Sequence, residues 1–294
     1  MTAVFRHEFR MMFSGLTAYV YGAFSLVFVA IYMMYYNLTI GYANFELALA
    51  GASFAFIITI PIVTMRIIAE EKKQKTDQLL YSLPISTTQI VVGKFLAVFL
   101  TSVIPICFVT VYPLILKNFG NLYLPTSYGA IFGYIMLGAA LLSMGIFISS
   151  ITESQPMAAG ICFAVMVLNY YMVTLAEYAT SSAYGSFAAL VVLELLAAFI
   201  IKHMTRNDIL AKGFGALSIV VTAALYIYNA DWFEGLFPLI LENLSVYERF
   251  YEFVDGIFDY THVVYFISVI VFFLFLTVRG DGCWLSAERP RKTS

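Results

Sequence analysis

The chain has 294 residues, of which 62% are hydrophobic and only 12% charged, with a mean hydropathy of +0.87. Soluble domains carry about 25% charged residues, so an ordinary globular enzyme and a disordered chain are excluded. A net charge of −2 and a pI near 5.9 leave no basic footprint for nucleic acid, and the composition makes lipid the solvent.

Eight apolar runs follow one another: Leu16–Tyr36, Leu47–Ile68, Ile90–Leu116, Gly129–Ile151, Met157–Leu175, Ser186–Ile201, Gly213–Tyr228 and Val263–Val278. A membrane-spanning helix needs about 20 apolar residues. The 16-residue runs reach that length through flanking Tyr, Lys and Arg that snorkel to the interface. Arg6 and Arg10 precede the first run as in a signal peptide. That run is 21 residues long and lacks a small-residue cleavage pattern, so it is read as a retained span. With the N-terminus in the cytoplasm and strict alternation, 14 of the 16 Lys and Arg fall inside, leaving Lys117 and Arg249 outside. The expectation is an all-α polytopic bundle of about eight transmembrane helices with both termini cytoplasmic. It forms a single transmembrane domain over 1–294, set in the cell membrane. Cys107, Cys162 and Cys283 form no disulfide or metal spacing, and His7, His203 and His262 are scattered singly.

In chain order, residues 1–15 come first. Phe5, Phe9, Met12 and Phe13 share one helical face beside Arg6 and Arg10, which predicts an interfacial helix. It serves either as an anchor for the first span or as a lever moved by a cytoplasmic partner. Pro61, Pro105 and Pro113 lie within spans and are positioned to kink them.

Between spans 2 and 3, charges run from Arg66 through Glu70, Glu71 and Lys72 to Asp77, followed by Leu79, Leu80 and Leu83. Pro84 stops the helix, and Ser86 with Gln89 forms a capping box for span 3. Residues 69–85 thus read as a short cytoplasmic helix with an apolar tip. A solvated loop does not explain those leucines; docking into a partner's groove does.

Span 4 carries Gly129, Gly133, Gly138 and Gly145, small surfaces for close helix contact within the chain or across a dimer seam. Glu194 is an intramembrane acid in span 6, a functional candidate by its position or else a carboxyl hydrogen-bonded to a neighbouring helix. Residues 229–262 hold seven acids and one base. Within them Ser245 and Glu248 form a capping box, and Tyr247, Phe250, Tyr251 and Val254 share one helical face. Glu248, Glu252, Asp255 and Asp259 lie on the other, with the helix broken at Gly256. This outer amphipathic segment is either an interfacial helix or an outer gate whose carboxylates favour release of a cationic or amphiphilic substrate. Asn37-Leu-Thr and Asn243-Leu-Ser match glycosylation patterns, without meaning in a bacterial source.

Three stretches carry a family resemblance. Arg66, Glu70, Glu71, Lys72, Thr76, Leu79, Leu80, Pro84 and Ser86, with Gly93-Lys94 after them, resemble the first cytoplasmic loop of ABC-2-type transporter permeases. More narrowly they resemble the gliding-motility-type (GldF-like) branch. Lys75 stands where that pattern has glycine and Gln78 where it has an acid. Gly145–Gln155 is similar to the segment after span 4, and Leu244–Val278 to the family's last outer segment and span. The resemblance implies the membrane subunit of an ATP-driven exporter, working as two permeases with two cytoplasmic ATPases. The second permease is another copy or a paralogue. In that reading residues 70–83 are a coupling helix: Glu70 and Glu71 pair with cations on the ATPase, and Leu79, Leu80 and Leu83 fill its groove.

The chain contains no phosphate-loop motif of its own. It is therefore expected to be no enzyme and to carry no cofactor, with ATP and magnesium in the partner. Two rival readings stand beside this one: a secondary transporter, and a membrane assembly or anchor protein that moves no substrate. The first should show several paired intramembrane charges, whereas this chain shows one lone acid.

Overall fold

The computed structural model of the protein describes residues 1–69, 72, 86–120, 122–152, 154–178, 182–205 and 208–288, with backbone alone at 196–197, 199–205, 208–211 and 281–288. Every regular element among the described residues is helical. Lipid offers the backbone no hydrogen-bond partner, so a chain this apolar must satisfy its N–H and C=O groups within its own helices. Five helices are long and apolar enough to cross a membrane: Thr17–Thr39, Phe45–Thr64, Thr87–Leu116, Leu124–Ile151 and Tyr260–Gly280. Two bent pairs, Gln155–Tyr170 with Met172–Tyr178 and Lys212–Tyr228 with Ala230–Leu244, raise the number to seven. The remaining apolar run falls in the helix Ala183–Thr205, 23 residues long, of which Ala183–Leu195 is apolar by composition despite Glu194. The chain is an all-α, multi-pass membrane protein.

In chain order the helices are α1 (Thr2–Ser14), α2 (Thr17–Met33), α3 (Phe45–Ala52), α4 (Phe56–Thr64), α5 (Thr87–Val109), α6 (Tyr112–Leu116), α7 (Leu124–Ile151) and α8 (Gln155–Tyr170). Then follow α9 (Met172–Tyr178), α10 (Ala183–Thr205), α11 (Asp208–Tyr228), α12 (Leu236–Leu244), α13 (Val246–Val254) and α14 (Tyr260–Glu288). They divide into two compact units, Met1–Val167 with Arg249–Ser294, and Leu168–Glu248.

The first unit is built around α7, whose residues from Leu137 to Ile146 are buried without a break. Lipid tails are as apolar as leucine, so helices associate here through close packing and hydrogen bonds rather than by escape from water. Glycine makes that approach possible. A Cβ on Gly145 would stand 2.6 Å from Thr64 Oγ1, and one on Gly133 would stand 2.9 Å from the Phe253 side chain. The Phe56 ring lies over Gly138 and 4.6 Å from the Tyr134 ring. The glycine stripe of span 4 is thus occupied by side chains of this same chain. At the far end of α2 the helix widens into a π turn, Met34–Thr39, where the buried Asn37 amide donates to Tyr42 O at 2.8 Å and Asn44 O at 3.2 Å. Pro61 and Pro105 sit inside α4 and α5 without ending them. Pro113 opens α6 after a break at Thr110.

The second unit contains an antiparallel hairpin of α10 and α11. Phe187 stacks on Tyr226 at 4.7 Å, and a Cβ on Gly215 would lie 3.0 Å from that of Ala198. The chain then turns back by 119° into a short helical pair ending with α12. The break falls at Asn229, and Gly235 turns the chain again before α12 at φ +70°, a conformation costly to any residue with a Cβ. Leu241 of α12 packs with Met172 and Ala176 of α9.

Candidate functional site

The best-built polar site lies where α4 gives way to the loop before α5. Helical hydrogen bonding continues to Met65 N–H, which donates to Pro61 O at 3.0 Å, and then the chain turns. A helix end leaves carbonyls and amides without intrahelical partners, and these must be satisfied when buried. Ile67, Ile68 and Ala69 are all buried. Lys94 of α5 donates to Ile67 O at 3.1 Å. Ser149, near the end of α7, accepts from Ile68 N at 3.3 Å and Ala69 N at 3.1 Å. Lys72 Nζ, the next described group, donates to Ser150 O. The loop root is therefore held from α5 and α7 together.

The charge on Lys94 is met by Glu8 of α1, Nζ to Oε1 at 2.8 Å, with the two side chains 2% and 4% exposed. An unpaired ammonium this deep would be prohibitively costly. Val4, Glu8 and Met12, at helical spacing, form the buried face of α1. A Cβ on Gly93 would meet Val4 at 3.3 Å, and Thr101 Oγ1 donates to Met12 Sδ at 3.5 Å. The two contacts advance by eight residues on each helix, so α1 follows the first turns of α5 in the same direction. The sequence reading laid the aromatic face into the membrane interface. In the structure Phe5, Phe9 and Phe13 are half-exposed and stack in series, with centroids 5.8 and 4.8 Å apart. Arg6 and Arg10 face outward. Glu8 was missed in the sequence. The signal that points to it is Lys94, a lone cation in an apolar run that requires a counter-charge.

Of the proposed coupling residues, Arg66 is exposed and Lys72 half-buried. Glu70, Glu71, Thr76, Leu79, Leu80, Leu83 and Pro84 lie outside the described residues. Ser86 caps α5 as the sequence suggests, its hydroxyl accepting from Gln89 N at 3.4 Å.

The outer acids do not form one row. In the second unit Glu248 N–H donates to Ser245 Oγ at 3.2 Å, the first half of the expected capping box. In the first unit Glu252 meets His262 Nε2 at 2.5 Å and Arg249 at 3.6 Å. Helix α13 ends at Val254 and Gly256 turns the chain at φ +81°, so Asp255 and Asp259 leave its face. Both are exposed. Asp259 begins the last helix, accepting from Thr261 N–H and Oγ–H at 2.9 Å each. Those two donors, the backbone N–H first, hold its carboxyl below the ordinary aspartate range. The buried aromatics of this segment are Tyr247, Phe250 and Phe253, whereas Tyr251 and Val254 are half-buried. The inward face is rotated from the one the sequence spacing indicated.

Glu194 of α10 is half-buried and accepts from Thr222 of the neighbouring α11. Its Oε2 is buried with no hydrogen-bond partner among the described residues. No group of three His, Cys, Asp or Glu side chains converges as a metal site among the described residues.

Comparison with known proteins gives one result. A family model described as ABC-2 family transporter protein matches residues 30–202, more than half of the chain. The match includes the loop root, Ser149, Ser150 and Glu194. No curated protein and no solved structure matches the chain.

Proposed function

The chain belongs to the ABC-2 transporter family, and from that premise we propose that it is the membrane permease of an ATP-driven exporter, powered by a separate ATP-binding subunit through residues 70–83. We assign it within the family to the gliding-motility-type branch, on the three matching stretches. The two permeases of the working unit are copies of this chain or paralogues. The side carrying the loop is cytoplasmic, because that orientation puts nearly all Lys and Arg inside.

The observation that carries the reading is the double anchorage of the loop root. A partner pushing on a loop moves a bundle only if the loop joins it stiffly. Here Ile67 O, Ile68 N and Ala69 N are all bonded by groups from other helices. The Glu8–Lys94 pair adds α1 to the same junction, which favours the lever over the simple anchor. Segments matched separately in sequence, Arg66–Ser86, Gly93-Lys94 and Gly145–Gln155, supply the groups that meet there.

The test is co-purification. Leu79→Asp with Leu80→Asp should abolish association with the ATPase while the permease still inserts in the membrane. Undiminished association of the double variant sinks the assignment. An ATPase assay on the intact complex, with flux measured in parallel, separates transport from a scaffolding role.

A further inference from the structure

At the end of α7 opposite the loop root, about 30 Å away along the helix, the first unit holds a half-open cavity of about 450 Å³. That volume suits a small ligand. Its walls are aromatic: Tyr123, Tyr128 and Phe132 come from the start of α7, Phe253 from α13, and Phe258 from the turn before α14. Phe132 lies 6.3 Å from Phe253 and 6.0 Å from Phe258, and those two meet edge-on at 5.4 Å. The three rings make one corner of it. Gly129 and Gly256 line the remaining space without side chains. Gly256 is fixed in this role, since its φ is +81° and a Cβ there would stand 3.2 Å from Thr126 Cγ2.

Among the described residues no Asp, Glu, Lys or Arg lines the cavity, but the carboxyl of Glu46 stands directly behind its wall. Thr126 lines it, and the Thr126 hydroxyl, also 2.8 Å from Tyr123 O, lies 2.8 Å from Glu46 Oε1. The same oxygen accepts from Ser127 Oγ at 2.7 Å. Glu46 is 5% exposed, and among the described residues it bonds hydroxyls and no cation. Ring faces are negative at their centres and attract cations, most readily those that shed water easily. An aromatic box backed by a carboxyl without a counter-cation has the electrostatics of an organic-cation site. Asp255 and Asp259, both exposed, flank the lining residues Gly256 and Phe258 in sequence and add negative charge to this segment.

We propose that this cavity binds a methylated ammonium group, of the kind carried by choline and by choline-headgroup lipids. The site depends on neither transport nor an ATPase, so it stands apart from the reading above.

The test uses the purified full-length chain in a neutral maltoside detergent. Binding of choline is compared with that of 3,3-dimethyl-1-butanol, which has the same shape and no charge. Choline should bind and the neutral analogue should not compete with it. Phe258→Leu keeps the apolar volume and removes a ring that is 54% exposed, so folding is spared. It should weaken choline binding roughly threefold to thirtyfold, the span of cation–π contacts. Glu46→Gln should weaken it as well, with thermal unfolding as the check on folding. A second arm asks whether the protein retains phosphatidylcholine over phosphatidylglycerol from mixed nanodiscs, and whether Phe258→Leu loses that preference. Free choline binding alone identifies a soluble ligand, and selective lipid retention a membrane one; either supports the proposal. Equal binding of the neutral analogue, no binding in either arm, or a Phe258→Leu protein that binds like wild type would overturn it.

Discussion

Glu8 and Lys94 are 86 positions apart in the chain, yet their carboxylate and ammonium meet at 2.8 Å in a place almost closed to solvent. Lys94 also reaches Ile67 O, so one ammonium joins α1, α5 and the end of the second span. Removing one member of a buried pair strands the other, at a cost of about 3–5 kcal/mol, whereas replacing both with apolar residues is far milder. Lys94→Met and Glu8→Leu should each lower the thermal unfolding temperature in detergent, and the double variant should recover much of the loss. Additive single effects would mean that the two charges do not depend on each other.

Ser149 accepts two consecutive backbone N–H groups that no helix bond satisfies. Ser149→Ala leaves both buried and unpaired, costing about 1–3 kcal/mol for each group not rescued by relaxation. The loss should be local. Amide exchange at Ile68 and Ala69 should accelerate while exchange in the middle of α7 stays slow, and ATP-driven flux in the complex should fall further than ATP hydrolysis. Unchanged exchange at Ile68 and Ala69 would show that Ser149 does not hold the root.

The apolar runs were legible because lipid imposes a length and a near-absence of charge on every crossing, a constraint that acts within one segment. The loop root was legible only as fragments. Gly93-Lys94 and Gly145–Gln155 stood out by resemblance, but nothing local shows that Ser149 turns toward Ala69 or that Lys94 faces α1. Glu8 sat among aromatic residues that dominated the pattern, although Val4, Glu8 and Met12 form an equally regular face. In the outer segment, Phe253 was passed over because a one-residue rotation exchanges it for Val254. The packing of Phe253 against Gly133 and the neighbouring rings fixes that rotation. The 119° reversal at Asn229 was hidden for a similar reason, since one asparagine does not reveal it.

Gly145 offers a test of packing without any charge. Its missing side chain is where Thr64 sits: a Cβ there would be 2.6 Å from Oγ1 and 3.0 Å from Cβ of a residue that is 1% exposed. Thr64 has little room to move, because its hydroxyl donates to Ile60 O at 2.9 Å. Gly145→Ala should therefore destabilise by about 1–3 kcal/mol, the usual cost of overpacking, despite alanine's better helix propensity. Pairing it with Thr64→Ala removes Oγ1 and Cγ2 and should restore part of the loss. A Gly145→Ala protein as stable as wild type would show that α4 and α7 have slack between them.

Asp259 sets the pH behaviour of the last helix start. Its carboxyl is held below the ordinary range by the Thr261 backbone N–H and then by the Thr261 hydroxyl. A depressed folded-state pKa means that the ionised form stabilises this end. That contribution is complete above the unfolded aspartate value of about 3.9 and disappears as pH falls through the lower folded value. Protection of the Thr261 amide, corrected for intrinsic exchange, should thus hold from pH 7 to about pH 5 and decline in more acidic buffer. Asp259→Asn keeps an oxygen that can accept the same bonds but has no proton to take up, so its protection should be lower at neutral pH and nearly independent of acidity. Matching pH profiles for the two proteins would mean that another group governs this helix end.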